Sequence, residues 1–201
     1  MIRKTLGLTD SAVRRINQRV RVGRVVVEDY ENNYDKDWVY HTSPVEITEI
    51  YENPLFGDVL FFANEPYWMG PKAYVYRLDL PEDEIIDVSK FNWLDGNERK
   101  LLEGIIGEIQ ELTGATEDEA WDLLSGGEPN YSPEDDAHSL NGELVDISWN
   151  ADVSWVLQGL QGKAAKLLGY QAAQGEDEQG IVYMVPMTGR ISELELVEVP
   201  D

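Results

Sequence analysis

The sequence predicts an α+β domain. Short stretches of β pattern and amphipathic helices alternate along the chain with mostly short connections. No segment repeats, and 201 residues suffice for one well-packed core and no obvious second one. Hydrophobic residues make up 42% and aromatic residues 10%, the composition of a folded chain rather than a disordered one.

Taken in order, residues 8–22 read as a short amphipathic helix. Thr9, Asp10 or Ser11 can cap it, and Val13, Ile16 and Val20 recur at helical spacing. Glu28–Asp37 is polar and loop-like. Three β signals follow, at Trp38–His41, Val59–Phe62 and Ala73–Leu80, the last with Tyr74, Tyr76, Leu78 and Leu80 on one face. Residues 98–112 form a helix with an apolar stripe of Leu101, Leu102, Ile105, Ile106, Ile109 and Leu112, ended by Gly114. Thr116 opens a second helix with a capping box, because Glu119 stands three positions on, and Gly126 and Gly127 close it. Ser125 to Glu143 is rich in Gly, Pro, Ser, Asn and Asp and reads as a long loop or insertion. A third helix runs from Asp152, its cap, to Leu168, with Val153, Val156, Leu157, Leu160, Ala164 and Leu167 on one face and Gly169 as its stop. Two strands, Ile181–Val185 and Leu194–Val199, finish the pattern around a turn through Thr188 and Gly189.

Composition excludes several classes of chemistry. There is no cysteine, hence no disulfide scaffold, thiol nucleophile or cysteine zinc site, a usage that fits a reducing cytoplasm. With two histidines, His41 and His138, a histidine metal site would need carboxylates as well, and no metal is expected. No stretch approaches the roughly 18 apolar residues of a membrane span, and the N-terminus lacks a signal peptide's apolar run. The 39 acidic side chains against 16 basic ones give a net charge of −23. Residues 1–24 hold seven of those basic residues and one acid, so the remainder carries 9 bases against 38 acids. Such a body repels nucleic acid and suits a basic protein surface, including one built to hold nucleic acid.

The phosphate loop, GxGxxG, GxSxG and HExxH patterns are all absent, which removes the usual nucleotide hydrolases, dinucleotide dehydrogenases, α/β-hydrolases and zinc proteases. Three pieces remain. The first is Tyr40-His41-Thr42-Ser43 at the end of a short strand. The second is Phe56 to Ala63 (FGDVLFFA), followed by Pro66-Tyr67-Trp68. The third is the acidic run Glu176-Asp177-Glu178-Gln179 at the mouth of the strand Gly180–Val185.

In that order, the three pieces resemble the ADP-ribosyltransferase superfamily in its branch with a His-Tyr-Glu type triad. There, a strand ends in His, a second reads like FGxxxYFA and leads into a Tyr, and a final strand carries an acid at its start. Leu168-Gly169-Tyr170 also resembles the segment that precedes the last motif in that branch. Four blocks (His41 to Ile47, Ile85-Ile86, Gly162 to Lys166, and Asp177 to Gly180) are similar to the phage-encoded type I-F anti-CRISPR ADP-ribosyltransferases, over about residues 38–200. The resemblance implies a split β-sandwich with flanking helices as the catalytic domain, residues 38–201, preceded by a basic N-terminal helix and linker at residues 1–37. It implies NAD as co-substrate and a protein target such as a subunit of a nucleic-acid-binding CRISPR surveillance complex, in the host cell cytoplasm.

The resemblance also implies roles for residues. His41 holds the ribose next to adenine, and Thr42 and Ser43 lie near the nicotinamide amide. Phe62 and Ala63 belong to the binding strand, and Tyr67 stacks on the nicotinamide, with Tyr74 as the alternative. Placed without a gap, the family's Glu falls on Gln179. A shift of one puts it on Glu178, with Glu176 two positions earlier, and Asp177 is the third choice. Cleavage of the nicotinamide–ribose bond passes through an oxocarbenium-like state, which a carboxylate stabilises. Lys72, Arg77, Lys163, Lys166 and Arg190 are the basic residues that could meet the pyrophosphate. Two other readings compete: an acidic interaction protein that mimics nucleic acid, and a degenerate domain that binds NAD without chemistry.

Overall fold

The structure, a computed structural model, describes residues 38–67, 73–127, 138–140, 143–145, 151–177 and 180–197. The N-terminal helix and the polar loop read from residues 8–37 lie outside that set.

Two antiparallel-rich sheets form the body, and strand alternation explains how they face each other. The first sheet has β1 (Trp38–Ser43), β3 (Tyr74–Asp79) and β9 (Glu195–Val197) in the order β1-β3-β9. The second has β2 (Val59–Phe62), β8 (Gly180–Pro186), β7 (Ala172–Asp177) and β4 (Ile85–Asp87), in the order β2-β8-β7-β4, with β4 and β7 parallel. Because successive side chains point to opposite faces, Val39 and Leu78 of the first sheet meet Phe62, Ala172, Tyr183 and Val185 of the second in one buried cluster. The other face of the second sheet presents Val59, Ile86, Ala173, Val182 and Met184 to the helices. The sheets touch edge to edge at one bridge, where the Tyr40 amide donates to the Ala63 carbonyl at 2.7 Å and the Ala63 amide to the Tyr40 carbonyl at 2.9 Å.

Three helices cover the far face of the second sheet. The first, α1 (Gly96–Thr113), starts at a capping box of Asp95 and Glu98 and ends at Gly114, whose φ of 72° suits a residue without a Cβ. Its predicted stripe is confirmed at Leu102, Ile105, Ile106 and Ile109, while Leu101 stays 54% exposed. The predicted Thr116–Glu119 capping box opens α2 (Glu117–Leu124). The third, α3 (Ala151–Leu167), begins one residue before Asp152, so Asp152 lies in the first turn and is not the cap. Leu167, read as part of the apolar face, is 52% exposed; Val153, Leu160, Ala164 and Ala165 make the buried side.

Two further readings need correction. The stretch read as a loop from Ser125 to Glu143 contains β5 (His138–Leu140), which pairs with β6 (Glu143–Val145). The acidic run, read as lying at the mouth of the strand from Gly180, begins inside a strand of its own, because Glu176 and Asp177 belong to β7. Period-2 hydrophobicity is weak in that strand: Ala172, Ala173 and Gly175 carry little apolar signal, and the strand forms because it lies between β4 and β8.

Helix α3 sits against the sheet through glycines. A Cβ on Gly159 would stand 2.6 Å from the Cα of Phe56, and one on Gly162 would stand 2.9 Å from a methyl of Val59. Asp58 fixes the neighbouring corner: its carboxylate accepts the Thr188 amide at 3.0 Å and lies 3.5 Å from Lys166, and its carbonyl accepts the Met187 amide at 3.0 Å.

Gly159→Ala is therefore expected to cost about 1–3 kcal/mol, because the clash is with backbone. Gly104→Ala, whose Cβ meets nothing within 4 Å on the open side of α1, is expected to stabilise by about 0.5–1 kcal/mol. Denaturant midpoints of the two variants, moving in opposite directions, check both.

Candidate active site

Beside the Tyr40–Ala63 bridge, the first two sequence pieces meet. Pairing of β1 with β3 sets His41 opposite Tyr76 and Ser43 opposite Tyr74. Opposite residues of an antiparallel pair share a face, and this is the face of Val39 and Leu78, turned toward the second sheet. Pairing of β2 with β8 sets Phe62 opposite Tyr183, so the end of β2 lies beside the middle of β8.

His41 is held closely. Its Nδ1 lies 2.7 Å from the Phe61 carbonyl oxygen, and its ring centroid is 5.5 Å from that of Phe62 at 48°. A carbonyl only accepts, so Nδ1 carries the proton and donates. Burial pushes the imidazole below its ordinary 6.5, and the Phe61 carbonyl offsets only part of that. At neutral pH the ring is uncharged, and Nε2 is left as an acceptor, suited to a sugar hydroxyl.

The other predicted residues separate into distinct positions. Thr42 points to the opposite face from His41, and its hydroxyl donates to the Tyr67 carbonyl, pinning the segment after β2. Ser43 is buried and its Oγ accepts the Val45 amide at 3.3 Å, turning the chain out of β1. Phe62 is 1% exposed, so its ring belongs to the core and supports His41 from behind. Ala63 contributes through the backbone bridge to Tyr40. Tyr67 is 46% exposed, while Tyr74 is partly exposed on the face of His41.

In the third piece, Asp177 pairs with Gly180 and Glu176 with Ile181. Alternation along β7 and β8 puts Glu176, Gln174, Ile181 and Tyr183 on the side of the first sheet, and Asp177 on the helix side, away from His41. Glu178 and Gln179 lie outside the described residues.

The described candidates for the pyrophosphate engage other partners. Arg77 stacks over Trp38 at 4.2 Å and pairs with Glu195 at 2.7 Å on the outer face of the first sheet. Lys163 is 3.8 Å from Glu108, and Lys166 is 3.5 Å from Asp58. Arg190 reaches the Gln171 side chain at 2.5 Å and Glu193 at 2.7 Å. Lys72 lies outside the described residues.

Three further polar residues, on β3 and β8 and just after β2, escaped the sequence reading. The Tyr183 hydroxyl donates to Asn64 Oδ1 at 3.0 Å, and Tyr76 accepts the Ile47 amide at 2.7 Å. Burial raises both phenols, that of Tyr76 to about 12, so both stay protonated at neutral pH. The alternation of Tyr74, Tyr76 and Leu78 was the available signal for Tyr76, whereas nothing local marks Asn64. Among the described residues, no group of three or more His, Asp or Glu could hold a metal ion, and no helix is long and apolar enough to cross a membrane.

Residues 89–193, just over half of the chain, match the family described as anti-CRISPR type I-F ADP-ribosyltransferase AcrIF11. The chain belongs to that ADP-ribosyltransferase family. The matched span runs from the segment after β4 through the three helices to the end of β8 and its following turn; it leaves out β1 to β3, and with them His41 and Tyr67. A solved structure described as the crystal structure of an anti-CRISPR protein is 21% identical, covering 81% of this chain and 94% of that one at a TM-score of 0.46. No curated protein matches the chain.

The lowered pKa of His41 has a measurable sign. The unfolded imidazole titrates near 6.5 and the folded one lower, so protons favour the unfolded chain and stability falls as pH drops below 6.5. Above that value both states are neutral and His41 contributes no slope. The NMR titration of the His41 ring is expected to show a midpoint below 6.5. A midpoint at or above 6.5 would contradict the neutral acceptor.

Proposed function

We propose that the protein is an NAD-dependent mono-ADP-ribosyltransferase that modifies a protein subunit of a type I-F CRISPR surveillance complex in the host cytoplasm. One observation carries the reading: in a chain of this family, a neutral histidine whose Nε2 has no partner among the described residues is held against β2, which pairs with the strand that follows the acidic run.

On this reading His41 Nε2 accepts from a ribose hydroxyl, and the Phe61 carbonyl and the Phe62 ring fix its orientation. Tyr74, on the same face as His41, stacks on the nicotinamide, and Tyr67 is the second choice. Thr42 and Ser43 act through their backbone, since their hydroxyls serve the fold. Glu178 supplies the carboxylate, with Gln179 next. The bond from the nicotinamide nitrogen to the ribose carbon breaks and takes its electron pair onto nicotinamide, which leaves neutral. The acceptor's nucleophile then bonds to that carbon and gives up a proton. The carboxylate stabilises the positive charge that develops in between.

A net charge of −23 favours a second reading, inhibition by an acidic surface that competes for a nucleic-acid channel. The two make opposite demands on NAD. Incubated with NAD and bacterial lysate, the wild type is expected to release nicotinamide and leave ADP-ribose on a protein. Glu178→Ala is expected to lower release by about 10²–10³-fold, and Gln179→Ala, run beside it, decides between the two positions. Inhibition of CRISPR targeting that is stoichiometric, NAD-independent and intact in Glu178→Ala would establish the acidic mimic instead.

A further inference from the structure

A second concavity lies on the helix side of the second sheet, opposite to the face of His41. It is a cleft of about 310 Å³ between the segment 52–57, α1 and α3, walled by Phe56, Val156 and Leu160, with Glu52, Glu108 and Lys163 at its rim. Its volume is at the low end of the range of about 300–1,000 Å³ for ligand sites, enough for one long side chain and small for a dinucleotide.

The cleft is rigidly built. Asn53 and Gly57 exchange two backbone hydrogen bonds, at 2.6 and 2.8 Å, and the Leu55 amide donates to Asn53 Oδ1 at 2.8 Å. Phe56 is pressed onto Gly159, and its ring meets those of Phe61 and Trp155 at 5.1 and 5.9 Å. The charge at the rim is acidic on balance. Lys163 faces Glu108 at 3.8 Å, but both side chains are about half exposed, so that pair is weak and exchangeable. Among the described residues Glu52 has no ion-pair partner.

A cleft of mixed lining, with apolar walls at Phe56, Val156 and Leu160 and the carboxylates of Glu52 and Glu108 among its rim residues, suits a guanidinium. The stem lies along the apolar walls, and the planar head takes bidentate hydrogen bonds that an ammonium such as Lys163 cannot match. We infer that this cleft receives an arginine side chain presented by a loop of the protein substrate, holding the target on the face of the second sheet opposite His41. The inference rests on the reading above that the acceptor is a protein. The net charge of −23 supplies long-range attraction to a basic target, and the cleft supplies the register that a diffuse field cannot.

The test uses the full chain and a hexa-arginine peptide, titrated calorimetrically at about 0.15 M salt, where surface attraction is screened beyond about 8 Å. Glu52→Gln with Glu108→Gln is expected to weaken binding at least about tenfold. Asp79→Asn with Asp83→Asn, exposed residues elsewhere with the same change of charge, is expected to change it less than twofold. Equal losses in both pairs, or no loss in the first, overturn the cleft. Glu52→Gln alone, on an exposed position, repeats the test with no helix residue altered. Nicotinamide release from NAD without target is read on the same proteins and is expected to stay at the wild-type level. A wild type that binds the peptide in the cleft and releases no nicotinamide overturns the enzymatic reading alone.

Discussion

Two hydrogen bonds between Tyr40 and Ala63 join the sheets, and the geometry of the candidate site follows from where they lie. Had β1 and β2 paired along their whole length, one closed sheet would leave no opening between them. Had they not paired at all, nothing would fix His41 against Phe61. A single bridge holds the strands in register for one step and then lets them diverge. His41, one residue beyond it, gains a carbonyl partner on the neighbouring strand and keeps one nitrogen for a ligand. Burial keeps that ring uncharged, and the candidate cations Arg77, Lys163, Lys166 and Arg190 are each paired elsewhere.

The second sheet transmits this constraint to the helices. Phe62 and Phe61 alternate, one ring behind His41 and the other against Phe56 and Trp155, so one strand carries the back wall of both concavities. Gly159 and Gly162 let α3 approach that strand more closely than any other residue would permit. Asp58 then secures the exit of β8. Burial opposes its ionisation, but hydrogen bonds from Thr188 and the charge of Lys166 outweigh burial and hold its carboxyl below the usual value.

Much of this was legible in the sequence, for physical reasons that differ from element to element. Thr116 with Glu119, and Gly114 after a long apolar stripe, are local signals whose partners lie within one turn, and they were read correctly. The strand at Tyr74–Asp79 alternates and Val59–Phe62 is a short apolar run after a turn, and both were found. β7 was missed because alanine and glycine do not reveal a face; its identity comes from neighbours that, in the case of β4, lie 87 positions away, as Ile85 does from Ala172. At the site, the order of the three pieces could be read, but the direction of each side chain could not. The opposite orientations of His41 and Thr42, and of Glu176 and Asp177, depend on register with strands distant in sequence. Asn64 joins Tyr183 across 119 positions, a separation at which single-chain patterns carry no information.

That interleaving bears on how the molecule is made. In the first sheet, the outer side of β3 is covered by β9, and Arg77 meets Glu195 across 118 positions. In the second, β2 waits for β8. Neither sheet can close while a ribosome is still adding the last fifth of the chain, and long loops must be gathered before any of these contacts repays the lost entropy. The helices α1 and α2, with their local caps, can form early and wait. The sheets are therefore completed by the last strands to be made, β8 and β9.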